Sequence, residues 1–173
     1  MGYYATLDFS SVKIPLSAEK EALEAVYRLD KAAHHLKQGG SWSTDGQKNA
    51  KWFSWMPEDL RTLTTLEDLL QTLGFRTHES DGAIHVDGYD SKVGQEDLFF
   101  FALAPFIESN YSKEFAALAN EPASMEWTGE DGSKWRWTFE DGNMIVWEAN
   151  IHWTGPFTAQ YDWQDQVRGV ATA

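Results

Sequence analysis

The chain contains no cysteine, which removes disulfide frameworks, thiolate metal sites and a thiol nucleophile together. It lacks a long apolar run as well. The longest, Leu98 to Ile107, is far too short for a bilayer-spanning helix. The opening residues MGYYATLDFS have neither the basic nor the apolar segment of a secretory leader, so a cytoplasmic protein without membrane association is expected. Basic residues are scarce: 14 Lys and Arg stand against 27 Asp and Glu, a formal net charge of −13. A surface of that sign repels phosphate backbones, so direct nucleic-acid binding is disfavoured. It suits a basic protein partner, and it also serves plain solubility.

Catalytic signatures are missing in the same way. No GxxxxGKS/T loop, no GxGxxG after a strand, no HExxH and no GxSxG occurs. Paired His-x-Thr motifs are absent too, because His78 is followed by Glu79-Ser80 and His85 by Val86-Asp87. No catalytic residue, metal site or cofactor is therefore assigned, and no motif argues for an enzyme.

Aromatic residues, by contrast, are abundant. With nine Trp, ten Phe and six Tyr among 173 residues, 42% of them hydrophobic, the chain can bury a sizeable core as one domain. The stretch Ala123 to Trp153 organises the rest. Glu-Asp-Gly occurs twice, at 130–132 and 140–142, each time between segments in which large apolar residues alternate with polar ones. Alternation means strand, and Gly after Asp supplies the positive φ of a tight turn. Reading both tripeptides as three-residue loops puts Trp127 opposite Trp135, Trp135 opposite Trp147, Met125 opposite Trp137 and Trp137 opposite Ile145. All then lie on one aromatic face, and keeping Trp147 on it argues against a two-residue second loop. The other face carries Glu126, Arg136 and Val146 in one row and Thr128, Lys134 and Glu148 in the next. A Trp row in phase with Met and Ile reads as core; exposed, it would be a stacking platform for bases or sugars.

Along the chain, Tyr3, Ala5, Leu7 and Phe9 alternate as a first strand running to Pro15. Ser17 can cap a helix to about Gln38, with Ala22, Val26, Leu29, Ala33 and Leu36 as one stripe. His34 and His35, adjacent near its end, point different ways and make poor joint ligands. The polar stretch 39–51 reads as a loop, of a length often functional, and Trp42 within it is a candidate ligand-binding residue. Thr64 and Glu67 fit a capping box before Leu66, Leu69, Leu70 and Leu73, with Gly74 at the helix end.

Phe75 to Gly88 reads as a hairpin turning at Asp81-Gly82. A two-residue loop places His78 opposite His85 and Arg76 opposite Asp87, so His78, His85 and Asp87 complete the candidate ligand-binding set. Without an evident third ligand no metal is assigned to the pair. After a turn at Ser91 to Gly94, the segment from Gln95 becomes an acidic first turn followed by a helix apolar all round, hence buried, which Pro105 bends or stops. A short helix is expected around 113–119. The fold class is thus α+β: a C-terminal three-stranded antiparallel meander, an N-terminal strand and a hairpin, packed on about three helices. Residues 1–155 form the domain, and 156–173 a tail, partly disordered or docked through Tyr161 and Trp163.

The run Met125-Glu126-Trp127-x-Gly129-Glu130-Asp131-Gly132-x-x-Trp135-Arg136-Trp137-x-Phe139-x-Asp141-Gly142 resembles a signature in small uncharacterised proteins of actinobacteria and their phages. The Met-Gly-Tyr opening and Lys92-Val93-Gly94 before an acidic apolar helix are similar as well. The resemblance implies a phage or actinobacterial setting and no particular chemistry. Two functional expectations follow. The first is an acidic, non-enzymatic protein that binds or inhibits a basic host protein. The alternative is a small-ligand or metal-binding protein, or an enzyme, with a pocket between the aromatic sheet face and the Trp42 loop, using His78, His85 and Asp87.

Overall fold

The computed structural model describes residues 3–39, 51–108, 122–155 and 158–166, with side chains described except at residue 34 and from residue 150 onward. Trp42 and the stretch 113–119 lie outside the described residues. The fold is α+β. Eight strands form one antiparallel sheet: β1 (Tyr3–Ser10), β2 (Lys13–Pro15), β3 (Phe75–Ser80), β4 (Ala83–Val93), β5 (Ala123–Gly129), β6 (Lys134–Glu140), β7 (Asn143–Gly155) and β8 (Thr158–Gln166). Across the sheet the order is β3-β4-β1-β5-β6-β7-β8, and β2 continues the line of β1 along β4. Among the described residues the helices are α1 (Glu19–Ala32), α2 (Leu66–Leu73) and α3 (Glu96–Leu103). None is long and apolar enough to cross a membrane.

The core lies between one face of this sheet and the helices. From the sheet come Ala5, Leu7, Phe75, Val86, Tyr89, Met125, Trp127, Trp137 and Phe139. The helices add Val26, Leu69, Leu70, Leu73, Phe99, Phe100 and Leu103, all buried. Phe100 joins the layers, its ring 5.1 Å from Phe75, 5.6 Å from Trp137 and 6.0 Å from Phe139. Each such side chain, fully buried, stabilises the fold by about 1.5–3 kcal/mol. The aromatic row is core along most of its length.

Several local expectations give way to finer geometry. The helix after Pro15 starts with a short 3-10 turn, so Ala18 rather than Ser17 stands at the α1 N-cap, without a side-chain cap. Thr65, not Thr64, caps α2, its hydroxyl accepting from the Asp68 amide at 3.1 Å. A bulge at Asp8 pairs Leu7 with Trp127 but Phe9 with Glu126. The extra residue turns Phe9 to the outer face, where it is 51% exposed. β4 runs on to Val93, so Ser91, Lys92 and Val93, expected in the turn, are strand paired with β1.

The two Glu-Asp-Gly tripeptides adopt different turns. At the first, the Gly129 amide donates to the Ser133 carbonyl and only Gly132 has positive φ (81°), a three-residue loop that sets Trp127 opposite Trp135. At the second, Asp141 and Gly142 both have positive φ (49° and 75°) and Glu140 pairs with Asn143, a two-residue loop. The expected second register is therefore shifted by one. Trp137 faces Val146, Trp135 faces Glu148, and Trp147 lies on the outer face opposite Arg136, donating to the Thr138 hydroxyl at 2.8 Å. Met144-Ile145-Val146-Trp147 is apolar on both faces, so alternation could not choose. A turn whose twist matches the strands decided instead.

β7 continues past the meander to Gly155, and Thr158–Gln166, within the stretch read as a tail, pairs with it as β8.

Candidate functional site

Where the helices end, the sheet face opens. A concavity of about 450 Å³ sits there, between the β4–α3 junction and β5, β6 and β7. The sheet and its first hairpin turn supply Trp127, Trp135 and Trp137 along with Val146, Glu148, Ala149, Ser133 and Lys134; the junction supplies Val93, Gly94, Glu96 and Asp97. The register explains the composition. Trp127, Trp135 and Glu148 occupy directly opposed positions on three neighbouring strands, so a carboxylate extends the tryptophan row. Trp127 and Trp135 lie parallel, 5.9 Å apart and within 4°, while Trp137 tilts against Trp127 at 4.8 Å. Trp127 is buried and Trp135 half-buried. The indole N–H of Trp127 is buried and has no acceptor among the described residues.

The junction is rigidly held. Glu96 is 3% exposed. Its Oε1 accepts from the Tyr89 hydroxyl at 2.6 Å and its Oε2 from the Gly94 amide at 2.7 Å. Burial pushes its carboxyl above the usual range, against the lowering effect of those two bonds. Burial likewise raises the Tyr89 phenol, and the adjacent Glu96 carboxylate adds to it. Gln95 ties the junction to the end of the α1 segment, donating to the Leu36 carbonyl at 2.7 Å and accepting from the Gln38 amide at 3.1 Å. At the rim, the Tyr3 hydroxyl donates to Asp131 Oδ1 at 2.5 Å and meets Ser133 Oγ at 2.7 Å. Its ring stands 6.5 Å from Trp135. The bonds from Tyr3 and Ser133 hold the Asp131 carboxyl down to about 2.

The histidines expected as ligand contacts lie elsewhere. His78 does pair with His85 across the hairpin. A bulge leaves Asp87 as the extra residue, so Arg76 faces Gly88 rather than Asp87, and Asp87 Oδ2 meets His78 Nδ1 at 2.6 Å. The two rings are stacked, 4.8 Å apart and 12° from parallel. Stacked imidazoles direct their lone pairs into parallel planes, whereas a shared metal needs them to converge at about 2.0–2.1 Å. Among the described residues no group of three or more His, Asp or Glu is placed to hold a metal. His85 stands eight residues from Val93 on β4, about 26 Å along the strand, so the hairpin and the pocket are separate places.

Gly39 and Lys51 bridge to one another, and the ring of Phe53 packs against Gly94, a wall residue.

Glu96, Asp97 and Glu148 were not singled out as site residues from the sequence. The signal for Glu148 was present: with the two-residue turn at Asp141-Gly142, alternation places a carboxylate in a row of tryptophans. The three-residue reading moved it to the outer face opposite Lys134. No protein-family model matches the chain, no curated protein matches it, and no solved structure matches it.

Proposed function

We propose that this chain is a non-catalytic binding protein whose site is the pocket at the open end of the aromatic sheet face. The observation that carries this reading is the meeting, in one concavity of about 450 Å³, of three tryptophans with Glu96, Asp97 and Glu148. Concave, largely apolar sites with a few convergent polar groups are where ligands bind. Binding rather than chemistry is supported by the state of Glu96: both of its oxygens are committed to Tyr89 and Gly94, which leaves it poorly placed to shuttle a proton.

A thermal-shift screen of a small-molecule library tests this. A ligand that binds the folded state raises Tm by mass action. The rise should be lost in Trp135→Ala and kept in the His78→Ala/His85→Ala double variant. The opposite pattern would move the site to the hairpin.

A second reading is favoured by the net charge of −13 and by the exposed acidic turns at Glu130-Asp131 and Glu140-Asp141. In it the protein binds a basic host or cellular protein, covering a surface that otherwise meets nucleic acid. The resemblance to actinobacterial and phage proteins supplies the setting. Capture from a host lysate should then fall steeply as salt is raised. Acidic partners, or retention indifferent to salt, would remove this reading.

A further inference from the structure

We infer that the ligand of this pocket is a neutral saccharide, held by stacking on Trp135 and by hydrogen bonds to the carboxylates and the Trp127 indole. The inference rests on the pocket being a binding site, and it is argued by elimination among the partners an aromatic wall accepts.

Tryptophan faces receive three kinds of ligand: nucleobases, organic cations and the apolar faces of sugar rings. Nucleotides carry phosphate, and the wall contributes the carboxylates of Asp97 and Glu148 within a chain of net charge −13, while its lysine, Lys134, is already held by Asp8 and Thr128. Bringing a phosphate there sets like charges against one another. A purely apolar ligand fails for a different reason. It would cover the carboxylates of Asp97 and Glu148 without replacing the water on their remaining lone pairs, at a cost of about 1–3 kcal/mol for each polar group desolvated in that way.

An organic cation satisfies the rings and part of the charge, but two features count against it. Glu96 already accepts from Tyr89 and Gly94 through both oxygens, and burial favours its uncharged form. The acid at the junction therefore attracts a cation much less than its formal charge suggests. The second feature is Trp127. Its buried N–H has no acceptor among the described residues, and an ammonium group, which only donates, offers none.

A neutral saccharide meets each requirement. Its ring has an apolar C–H face for the indole of Trp135, which is only half-buried. Its hydroxyls donate to the carboxylate oxygens of Glu148 and Asp97, which have several lone-pair sites each. The same hydroxyls accept, so one of them can take the Trp127 N–H, which has no acceptor among the described residues. Ser133, in the wall and already in contact with Tyr3, gives a further hydroxyl to pair with. The volume suits a ligand of one or two rings.

The experiment is a neutral-glycan array followed by calorimetric titration of any bound glycan. Tetramethylammonium chloride and adenosine monophosphate are titrated alongside it. The expected result is at least one neutral glycan bound with a change in tryptophan emission, and no binding of the other two probes. Trp135→Ala should weaken the glycan about tenfold to a hundredfold, the worth of one stacked ring. Trp127→Phe keeps a ring and removes the N–H, and should weaken it about threefold to tenfold. Should Trp127→Phe unfold, Glu148→Gln is the substitute, because Glu148 is exposed and the change removes an acceptor without removing volume. Binding of tetramethylammonium that Trp135→Ala abolishes and Trp127→Phe leaves intact would overturn the saccharide while keeping the pocket as the site. A blank array together with no thermal shift from any library compound would overturn both.

Discussion

The Tyr3 side chain crosses the sheet through the space that Gly129 leaves open: a Cβ on Gly129 would stand 1.8 Å from the Tyr3 hydroxyl oxygen. That crossing lets the phenol reach Asp131 and Ser133 on the first hairpin turn, and so ties the N-terminal strand to the rim of the pocket. Gly129→Ala should destabilise the protein by about 1–3 kcal/mol through this overlap, read as a lower urea midpoint. Tyr3→Phe breaks the bond without the clash and leaves an acid signature. Because Asp131 is held down to about 2 from an ordinary 3.8, its contribution to stability is present above 3.8 and lost as pH falls through about 2. In Tyr3→Phe the acid limb of the stability curve should become shallower in that window. Unfolding followed between pH 1.5 and 5 checks it.

Glu96 gives the opposite slope. Burial raises its carboxyl above 4.5 in the folded state, so its contribution is full below 4.5 and is lost as pH rises through the raised value. Glu96→Gln removes the ionisation. The variant also loses an acceptor for the Gly94 amide, so its stability at low pH should be lower than the wild type's. Whatever that offset, the decline on the alkaline side of 4.5 should flatten. Chemical denaturation from pH 4 to 8 distinguishes the two profiles, and an unchanged slope would mean that Glu96 is charged throughout.

Asp30 holds two buried donors. Its Oδ1 takes the Lys37 ammonium at 2.6 Å and the Trp52 indole N–H at 2.7 Å, with the Lys37 side chain only 2% exposed. Removing one partner of a buried ion pair costs about 3–5 kcal/mol, because the other charge stays without compensation. Asp30→Ala should fall in that range, and Asp30→Ala/Lys37→Met should recover much of the loss. Additive losses in the double-mutant cycle would show that the pair is not coupled.

Much of this fold was legible because period and turn chemistry agreed. Leu66, Leu69, Leu70 and Leu73 are all buried on α2, and Asp81-Gly82 makes the tight turn that faces His78 with His85. What was not legible were single-residue events: the bulges at Asp8 and Asp87 and the cap one residue along at Thr65. Such events shift a pattern without changing it. The pocket suffered most. Its tryptophans stood out, but its carboxylates depend on a long-range junction, in the case of Glu96, and on one turn, in the case of Glu148.

That turn can be tested directly against its counterpart. Gly82 and Gly142 each follow an aspartate with φ near 50° and have φ of 72° and 75° themselves. A side chain at either is strained by about 1–2 kcal/mol for adopting the left-handed region. Their surroundings differ: a Cβ at Gly82 meets nothing within 4 Å, while one at Gly142 comes to 3.4 Å from the Pro105 backbone. Pro105 lies in the 3-10 turn Ala104–Phe106 that continues α3, the helix whose first turn walls the pocket. Gly82→Ala should therefore cost backbone strain alone and leave ligand binding unchanged. Gly142→Ala should cost at least as much stability. It also invites the longer loop in which Gly132 sits, a slip that would carry Glu148 to the outer face and Trp147 into the tryptophan row. Backbone amide pairing by NMR reads the register, and calorimetry reads the stability. If Gly142→Ala keeps Glu140 paired with Asn143 and matches Gly82→Ala in cost, the register is fixed by β7 and β8 rather than by the turn.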